Sequence, residues 1–457
     1  MIYILEDNIR IKKWQIGPAR CSVEGNPKGF SLTPEEYALL QNCDGTTEQK
    51  PCDALYLMEA MGVIRRCRKG EASLKPGQIR EYPNKLSCMI DWTITERCNY
   101  NCLHCFHAAD NNRHREEFTR EEAFRFLEEA EACGVPAIHL TGGEPTLFPC
   151  FREIVEEIRN RGMQLKTLIT NGSQLDEELV GFIKDLHPKV QIMLSFDGIG
   201  THDWLRQQEG SEESVKRAIR VSKAAGLNVK INMNVNRKSR PVVMDSVAML
   251  VDMGVDEIRL IKTTEAPRWQ LNAAENSLTP EEYYDFSLDF ASWYRESSLT
   301  LPVTIWQSLY LRGKDRFFHI LPIKTAACDY REDASICSAM LKKLSVQANG
   351  DLIPCAPLAG LFTARDIHVG NVKRESLRKL LSEGPLFEMV TQTVKDKRLA
   401  NPKCAACPHF RSCQGGCPAL SINFGDSLLS TDIYKCVFFE NGYDKKYREV
   451  LAGWTGI

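Results

Sequence analysis

The stretch Cys88-Met-Ile-Asp-Trp-Thr-Ile-Thr-Glu-Arg-Cys98-Asn-Tyr-Asn-Cys102-Leu-His-Cys105 joins a strand-like run to three closely spaced thiols. Residues 88–95 are mostly β-formers, and the cysteines follow in a CxxxCxxC spacing. Three thiolates do not by themselves complete a four-ligand metal site. In a [4Fe–4S] cube, normally held by four cysteines, they leave one iron without a protein ligand and free to bind something else. Zinc and unliganded thiols suit the same spacing, so the surrounding chain decides.

Outward from this stretch, short apolar runs alternate with longer amphipathic ones. Strands are predicted over 88–95, 137–140, 164–170, 190–196, 228–235 and 257–261. Helices are predicted over 120–132, 151–161, 176–186, 212–225, 241–253 and 280–296. Thr119 and Thr279 supply capping hydroxyls, each before an acidic first turn. Six strand–helix units imply a parallel sheet with right-handed crossovers. They fit an open partial (β/α)6 TIM barrel, in the α/β class, with its chemistry at the carboxyl ends of the strands. The three thiols follow the first strand at that end. Thr141-Gly142-Gly143-Glu144-Pro145 follows the second, Asn171 and Gly172 the third, and Ser195-Phe-Asp197-Gly198 the fourth, with His202-Asp-Trp-Leu-Arg206 close behind.

The three-thiol loop and the Gly-Gly-Glu segment, on successive strand ends of such an array, resemble the radical SAM family. The resemblance implies that Cys98, Cys102 and Cys105 hold a catalytic [4Fe–4S] cluster. Its open iron would chelate the amino and carboxylate groups of S-adenosyl-L-methionine, and reduction would release a 5′-deoxyadenosyl radical. By the same resemblance Gly142, Gly143 and Glu144 lie by the methionyl amino group, and Asn171, Ser195 and Arg206 are further cofactor contacts. His104 and His107 are read as environment rather than ligands.

The last third of the chain carries Cys337, Gly350, Cys355, Cys404, Cys407, Cys413, Cys417 and Cys436, with Cys328 nine residues before Cys337. CxxC pairs suit tetrahedral zinc, so spacing alone leaves zinc and iron open. The pattern resembles the seven-cysteine SPASM domain of radical SAM enzymes that modify peptides and proteins. That resemblance implies Cys328, Cys337, Cys355 and Cys417 for a first auxiliary cluster, and Cys404, Cys407, Cys413 and Cys436 for a second. Were Cys328 free, the first cluster would have an open site for a substrate thiolate. Asn349-Gly350-Asp351 between apolar runs predicts a hairpin turn, with Cys355 just beyond its second strand.

Residues 1–75 read as a separate α+β unit. Strands are predicted at 2–5, 9–14 and 20–23, a capped helix from Thr33-Pro34, a break at Cys43-Asp-Gly-Thr-Thr, a second amphipathic segment at 52–61 and a returning strand at 62–66. This winged-helix-like arrangement resembles the RiPP recognition element. The resemblance implies that it binds the leader of a ribosomal precursor peptide as an added strand; a unit that only caps the barrel is the alternative. Residues 76–87 read as a linker, 88–300 as the barrel and 301–457 as the cysteine-rich domain.

The totals agree with a globular protein of several domains: 457 residues, 43% hydrophobic and 26% charged. A formal net charge of −2 gives no reason to expect nucleic acid or an anionic membrane. Neither a signal peptide nor a bilayer-spanning apolar run is found, which points to the cytoplasm. Eighteen cysteines are many for a reducing compartment, so metal ligation is their expected use. Cys21, Cys43, Cys52, Cys67, Cys88, Cys133 and Cys150 default to small buried hydrophobes.

The resemblances together imply an anaerobic radical SAM/SPASM maturase with S-adenosyl-L-methionine, three [4Fe–4S] clusters and an electron donor such as flavodoxin or ferredoxin. Its expected reaction is C–H hydrogen abstraction from a precursor peptide, with an intramolecular thioether crosslink favoured. Carbon–carbon crosslinking, epimerisation and sulfatase maturation are the enzymatic alternatives. A zinc-binding peptide scaffold is the alternative outside catalysis.

Overall fold

The structure is a computed structural model that describes residues 1–24, 29–105, 116–324 and 329–456; His107 and Cys328 lie outside the described residues. At the N-terminus β1 (Ile2–Leu5), β2 (Ile9–Lys13), β3 (Ala19–Val23) and β4 (Phe30–Leu32) precede a helix at Pro34–Gln41. Then come β5 (Asp44–Glu48), a helix at Asp53–Ala60 and β6 (Ile64–Arg66). The first helix starts where Thr33 and Glu36 form a reciprocal capping box and Pro34 fills the first turn. β5, β1 and β6 make one antiparallel sheet. Tyr3, Leu5, Ile11, Leu40, Leu55 and Ile64 belong to a core that this unit keeps to itself.

Two features depart from the sequence reading. The expected break at Asp44 is the start of a strand, because the Asp44 carboxylate accepts the N–H groups of Thr46 and Thr47, both at 2.7 Å, and completes the turn itself. The expected linker contributes β7 (Ile79–Glu81), which runs parallel to β2 in a sheet ordered β4-β3-β2-β7. Just beyond it Tyr82 stacks on Trp14 at 5.2 Å, and the Trp14 indole N–H donates to the Cys133 carbonyl at 3.0 Å. The polar composition of 76–87 therefore marks an edge strand and a docking spacer.

β8 (Met89–Thr93), β9 (Ala137–Thr141), β10 (Gln164–Thr170), β11 (Gln191–Ser195), β12 (Asn228–Val235) and β13 (Glu257–Lys262) stand in chain order, each parallel to the next. The intervening helices begin and end within about two residues of the predicted bounds. Along β12, Val229, Ile231, Met233 and Val235 are buried in the core, whereas Lys230, Asn232 and Asn234 are half-buried. The same alternation runs along β11 and β13. Parallel strands packed on both faces read as continuous apolar runs, and a full TIM barrel is filled by branched side chains. Here only the helix-facing side is apolar, and the inner side is polar. It carries the Asp91–Lys343 ion pair at 3.2 Å and a Lys230–Glu257 pair.

The C-terminal third continues this sheet at both edges. β14 (Val303–Ile305) lies parallel to β13 and leads into β15 (Leu309–Arg312) and β16 (Phe317–Ile320). β17 (Lys343–Val346) lies parallel to β8 at the opposite edge and pairs with β18 (Leu352–Ile353). Gly350 makes their turn at φ +88°, where a Cβ would meet the Lys373 stem at 2.6 Å. With β19 (Thr455–Gly456) beside β16, the sheet has twelve strands among the described residues. One hydrophobic core runs through barrel and C-terminal segment alike. No helix among the described residues is long and apolar enough to cross a membrane.

Candidate active site

The three-thiol loop leaves the carboxyl end of β8 and is fastened to the end of β9. Gly143 N–H donates to the Thr95 carbonyl and Glu144 N–H to the Arg97 carbonyl, both at 2.8 Å. A Cβ on Gly142 would lie 2.7 Å from the Thr95 oxygen, and one on Gly143 2.4 Å from the Arg97 oxygen. The close approach these glycines permit is thus to the thiol-bearing loop itself. Cys98 and Cys102 are buried around Tyr100, with Cys105 packed against them. Tyr100 N–H donates to Cys98 Sγ at 3.4 Å. Burial pushes the Cys98 thiol up to about 12, so bare Cys98 keeps its proton and an incoming metal must displace it.

Glu144 is fully buried, and its carboxylate is turned inward. It accepts from the Thr146 hydroxyl at 2.7 Å, the Thr170 hydroxyl at 2.8 Å and Asn171 N–H at 2.8 Å. It thereby locks the ends of β9 and β10 together. Asn171 donates through Nδ2 to Asn99 inside the thiol loop at 2.8 Å. Ser195 closes β11 in register with Asn232.

Arg206 ends a short helix, His202–Arg206, whose Leu205 carbonyl accepts Leu103 N–H from the thiol loop at 2.9 Å. Its Nη1 donates to Cys102 Sγ at 3.8 Å, and its Nε to Asp197 Oδ2 at 2.7 Å. Asp197 is fully buried and also accepts Asn234 N–H at 2.9 Å, while Asn234 Nδ2 lies 3.1 Å from His104 Nε2. Against the cost of burial, the Arg206 charge holds the Asp197 carboxyl well below the usual range. Burial lowers His104 to about 3, so it stays neutral, and among the described residues its Nδ1 has no partner. Sequence reasoning assigned no role to Asp197, Asn234 or Asn99. An acid directly after a parallel strand, as in Ser195-Phe-Asp197-Gly198, was the available clue.

In the C-terminal segment Cys404, Cys407, Cys413 and Cys436 line one cavity of about 190 Å³, larger than the ~150 Å³ cavity that admits benzene. Cys355 interacts electrostatically with Cys337 and Cys417 and follows β18 closely. Cys413 and Cys417, which the structure puts in different groups, flank Gly415 and Gly416. Among the described residues no three His, Cys, Asp or Glu side chains are placed to hold a single metal ion, whereas Cys404, Cys407, Cys413 and Cys436 ring a volume. Sulfur donors around such a volume, with three thiols beside a polar barrel mouth, fit iron–sulfur clusters. A second cavity, about 50 Å³, lies between the end of β13 and the cysteine-rich segment. Lys262, Glu265, Trp306, Gln307 and Tyr434 are among its walls.

Residues 92–238 match the Radical SAM superfamily, and residues 337–408 match SPASM, an iron–sulfur cluster-binding domain. An AdoMet-dependent heme synthase of Methanosarcina barkeri is 24% identical over 77% of this chain and 96% of its own. The mycofactocin maturase MftC of Mycobacterium tuberculosis is 24% identical over 78% of this chain and 85% of its own. Among solved structures, Streptococcus suis SuiB bound to the precursor peptide SuiA superposes with a TM-score of 0.67 at 15% identity, over 95% of this chain and 100% of SuiB. At that identity the likeness establishes the fold. The chain thus carries a radical SAM domain at the barrel and a SPASM domain in the thiol-rich segment, domains that imply S-adenosyl-L-methionine and iron–sulfur clusters.

Proposed function

We propose that this enzyme is a cytoplasmic maturase that modifies a ribosomally made precursor peptide by hydrogen abstraction, forming an intramolecular crosslink, with a cysteine thioether favoured. The N-terminal unit carries the proposal. It has its own core and is docked on the barrel through Trp14 and Tyr82. The likeness to SuiB leaves only about 23 of 457 residues unmatched, too few to omit residues 1–75. In this proposal the unit binds the leader peptide by strand addition at an open sheet edge.

Cys98, Cys102 and Cys105 would hold the catalytic cluster. Cys337, Cys355 and Cys417, with Cys328, would hold the first auxiliary cluster, and Cys404, Cys407, Cys413 and Cys436 the second. When bound, the catalytic cluster and S-adenosyl-L-methionine supply a radical able to remove a hydrogen atom from an unactivated C–H bond. The chain's own groups position these components. Tyr100 N–H and Arg206 Nη1 aim donors at Cys98 and Cys102, interactions that tune a cluster's potential. Glu144 fixes the two strand ends under the loop, and Gly142, Gly143, Asn171 and Ser195 frame the mouth. A flavodoxin- or ferredoxin-like donor would provide the reducing electron.

The test is the mass of a candidate precursor, encoded nearby, after incubation with reconstituted enzyme, reductant and S-adenosyl-L-methionine in deuterated water. A thioether made from one C–H and one S–H removes two hydrogens, a two-electron oxidation of the peptide, and makes one thiol refractory to alkylation. Gain of one deuterium without other change would instead mean epimerisation and would overturn the crosslink.

A further inference from the structure

Two lysines lie inside the C-terminal thiol field with almost no exposure: Lys397 at 1% and Lys435 at 2%. Lys435 Nζ donates to the Gln307 carbonyl at 2.6 Å. Lys397 Nζ donates to the Ser421 hydroxyl at 3.1 Å and to the carbonyls of Leu428 and Ser430. All these acceptors are neutral. Asp432, the buried acid beside them, accepts two backbone N–H groups, from Cys417 at 2.8 Å and from Lys435 at 3.2 Å. An ammonium taken out of water costs several kcal/mol even after relaxation, and neutral oxygens alone do not return that cost.

The glycines of the Cys413-Gln-Gly-Gly-Cys417 loop put both lysine stems flush against the backbone. Gly415 and Gly416 have φ +78° and +76°. A Cβ on Gly415 would meet Lys397 Cε at 2.4 Å, and one on Gly416 would meet Asp432 Oδ2 at 2.4 Å and Lys435 Cγ at 2.7 Å. Lys435 also lines the cavity ringed by Cys404, Cys407, Cys413 and Cys436. The buried cations therefore sit on the short segment that joins the two auxiliary thiol groups. Among the described residues Asp432, which lines the same cavity, is the one buried carboxylate set against the two buried lysines; clusters held by thiolates would bring the further negative charge.

We propose that Lys435, with Lys397 as its companion, is the shared counter-charge of the two auxiliary clusters, a positioning residue that raises their reduction potentials across the Gly415–Gly416 loop. This rests on the cluster assignment under Proposed function. A fixed positive charge stabilises the reduced, more negative state of a cluster, and burial magnifies the effect.

The test is a redox titration followed by electron paramagnetic resonance. It uses the full chain with Cys98→Ala, Cys102→Ala and Cys105→Ala, so that only auxiliary clusters titrate, with and without Lys435→Met or Lys435→Arg. Lys435→Met, of similar length and uncharged, is expected to keep its iron and sulfide. At the parent's midpoint its reduced-to-oxidised ratio should fall about tenfold, which is 59 mV for a one-electron couple. Lys435→Arg should restore it. Full iron with an unshifted titration in Lys435→Met overturns the proposal. If Lys435→Met cannot retain iron, Lys397→Met takes its place in the titration: a tenfold fall supports the proposal and an unshifted curve overturns it. A parent that holds no auxiliary iron overturns the underlying cluster assignment instead, and the proposal with it.

Discussion

The barrel mouth and the C-terminal thiol field both bring buried cations to cysteines, but they balance charge in opposite ways. At the mouth, Arg206 touches Cys102 and is neutralised by Asp197 at 2.7 Å, with Asn234 completing the carboxylate's shell. In the field, Lys397 and Lys435 rest on neutral oxygens. A self-neutral mouth suits a site whose ligand comes and goes. A pocket with cations in excess suits permanent residents that carry negative charge. The two regions share one core and one sheet, so the difference lies in side chains rather than in separate folds.

The largest effect should come from Cys98→Ala, Cys102→Ala and Cys105→Ala together. This variant is expected to lose all deoxyadenosine formation while retaining auxiliary iron; cleavage at the wild-type rate would break the comparison at its root. Asp197→Asn should come next, because it leaves Arg206 buried without its counter-charge. A loss of about 3–5 kcal/mol in denaturant unfolding of the iron-free chain is expected. In that state Lys435→Met should cost less, since it leaves only the Gln307 carbonyl without its donor while Asp432 keeps its two backbone N–H groups. Equal destabilisation by both would erase the distinction between mouth and field.

Gly416→Ala should cost more than the roughly 1–2 kcal/mol of a left-handed non-glycine residue, since its Cβ also meets Asp432 and Lys435. Gly442→Ala, with φ +64° and open space around it, should show only the conformational part. Thermal unfolding of the two variants measures the gap, and equal losses would dismiss the close packing at Gly416.

The smallest effect is a pH slope. Burial lowers His139, on the barrel's inner face, to about 4 from the usual 6.5, so the unfolded chain binds its proton first as pH falls. His139 therefore favours unfolding progressively from about pH 6.5 down to about pH 4, by about 1 kcal/mol between pH 7 and 5.5. His139→Asn should flatten that part of the profile, and an unchanged slope would refute the assignment.

Local signals were strong where the barrel is concerned. Thr119 and Thr279 do form capping boxes with Glu122 and Glu282, and the strand–helix alternation pointed to the parallel order because strand–helix–strand units as a rule lay successive strands side by side. What stayed hidden was non-local. The pairing of β17 with β8 joins residues some 250 positions apart, and nothing in either strand's composition names its neighbour. β7 was concealed by polar residues proper to an edge. Asp197 and Arg206 were both quoted as parts of motifs, yet their ion pair exists only because the His202–Arg206 helix folds back over the thiol loop. The buried lysines were harder still, since long charged side chains are expected at the surface.

The most direct measurement is the metal and sulfide content of the anaerobically purified, reconstituted chain, read together with its Mössbauer spectrum. Three [4Fe–4S] clusters require about twelve irons and about twelve sulfides per chain, in a brown protein. A colourless protein loaded with zinc, or iron without sulfide, would contradict the assignment of these thiols and the radical chemistry built on it.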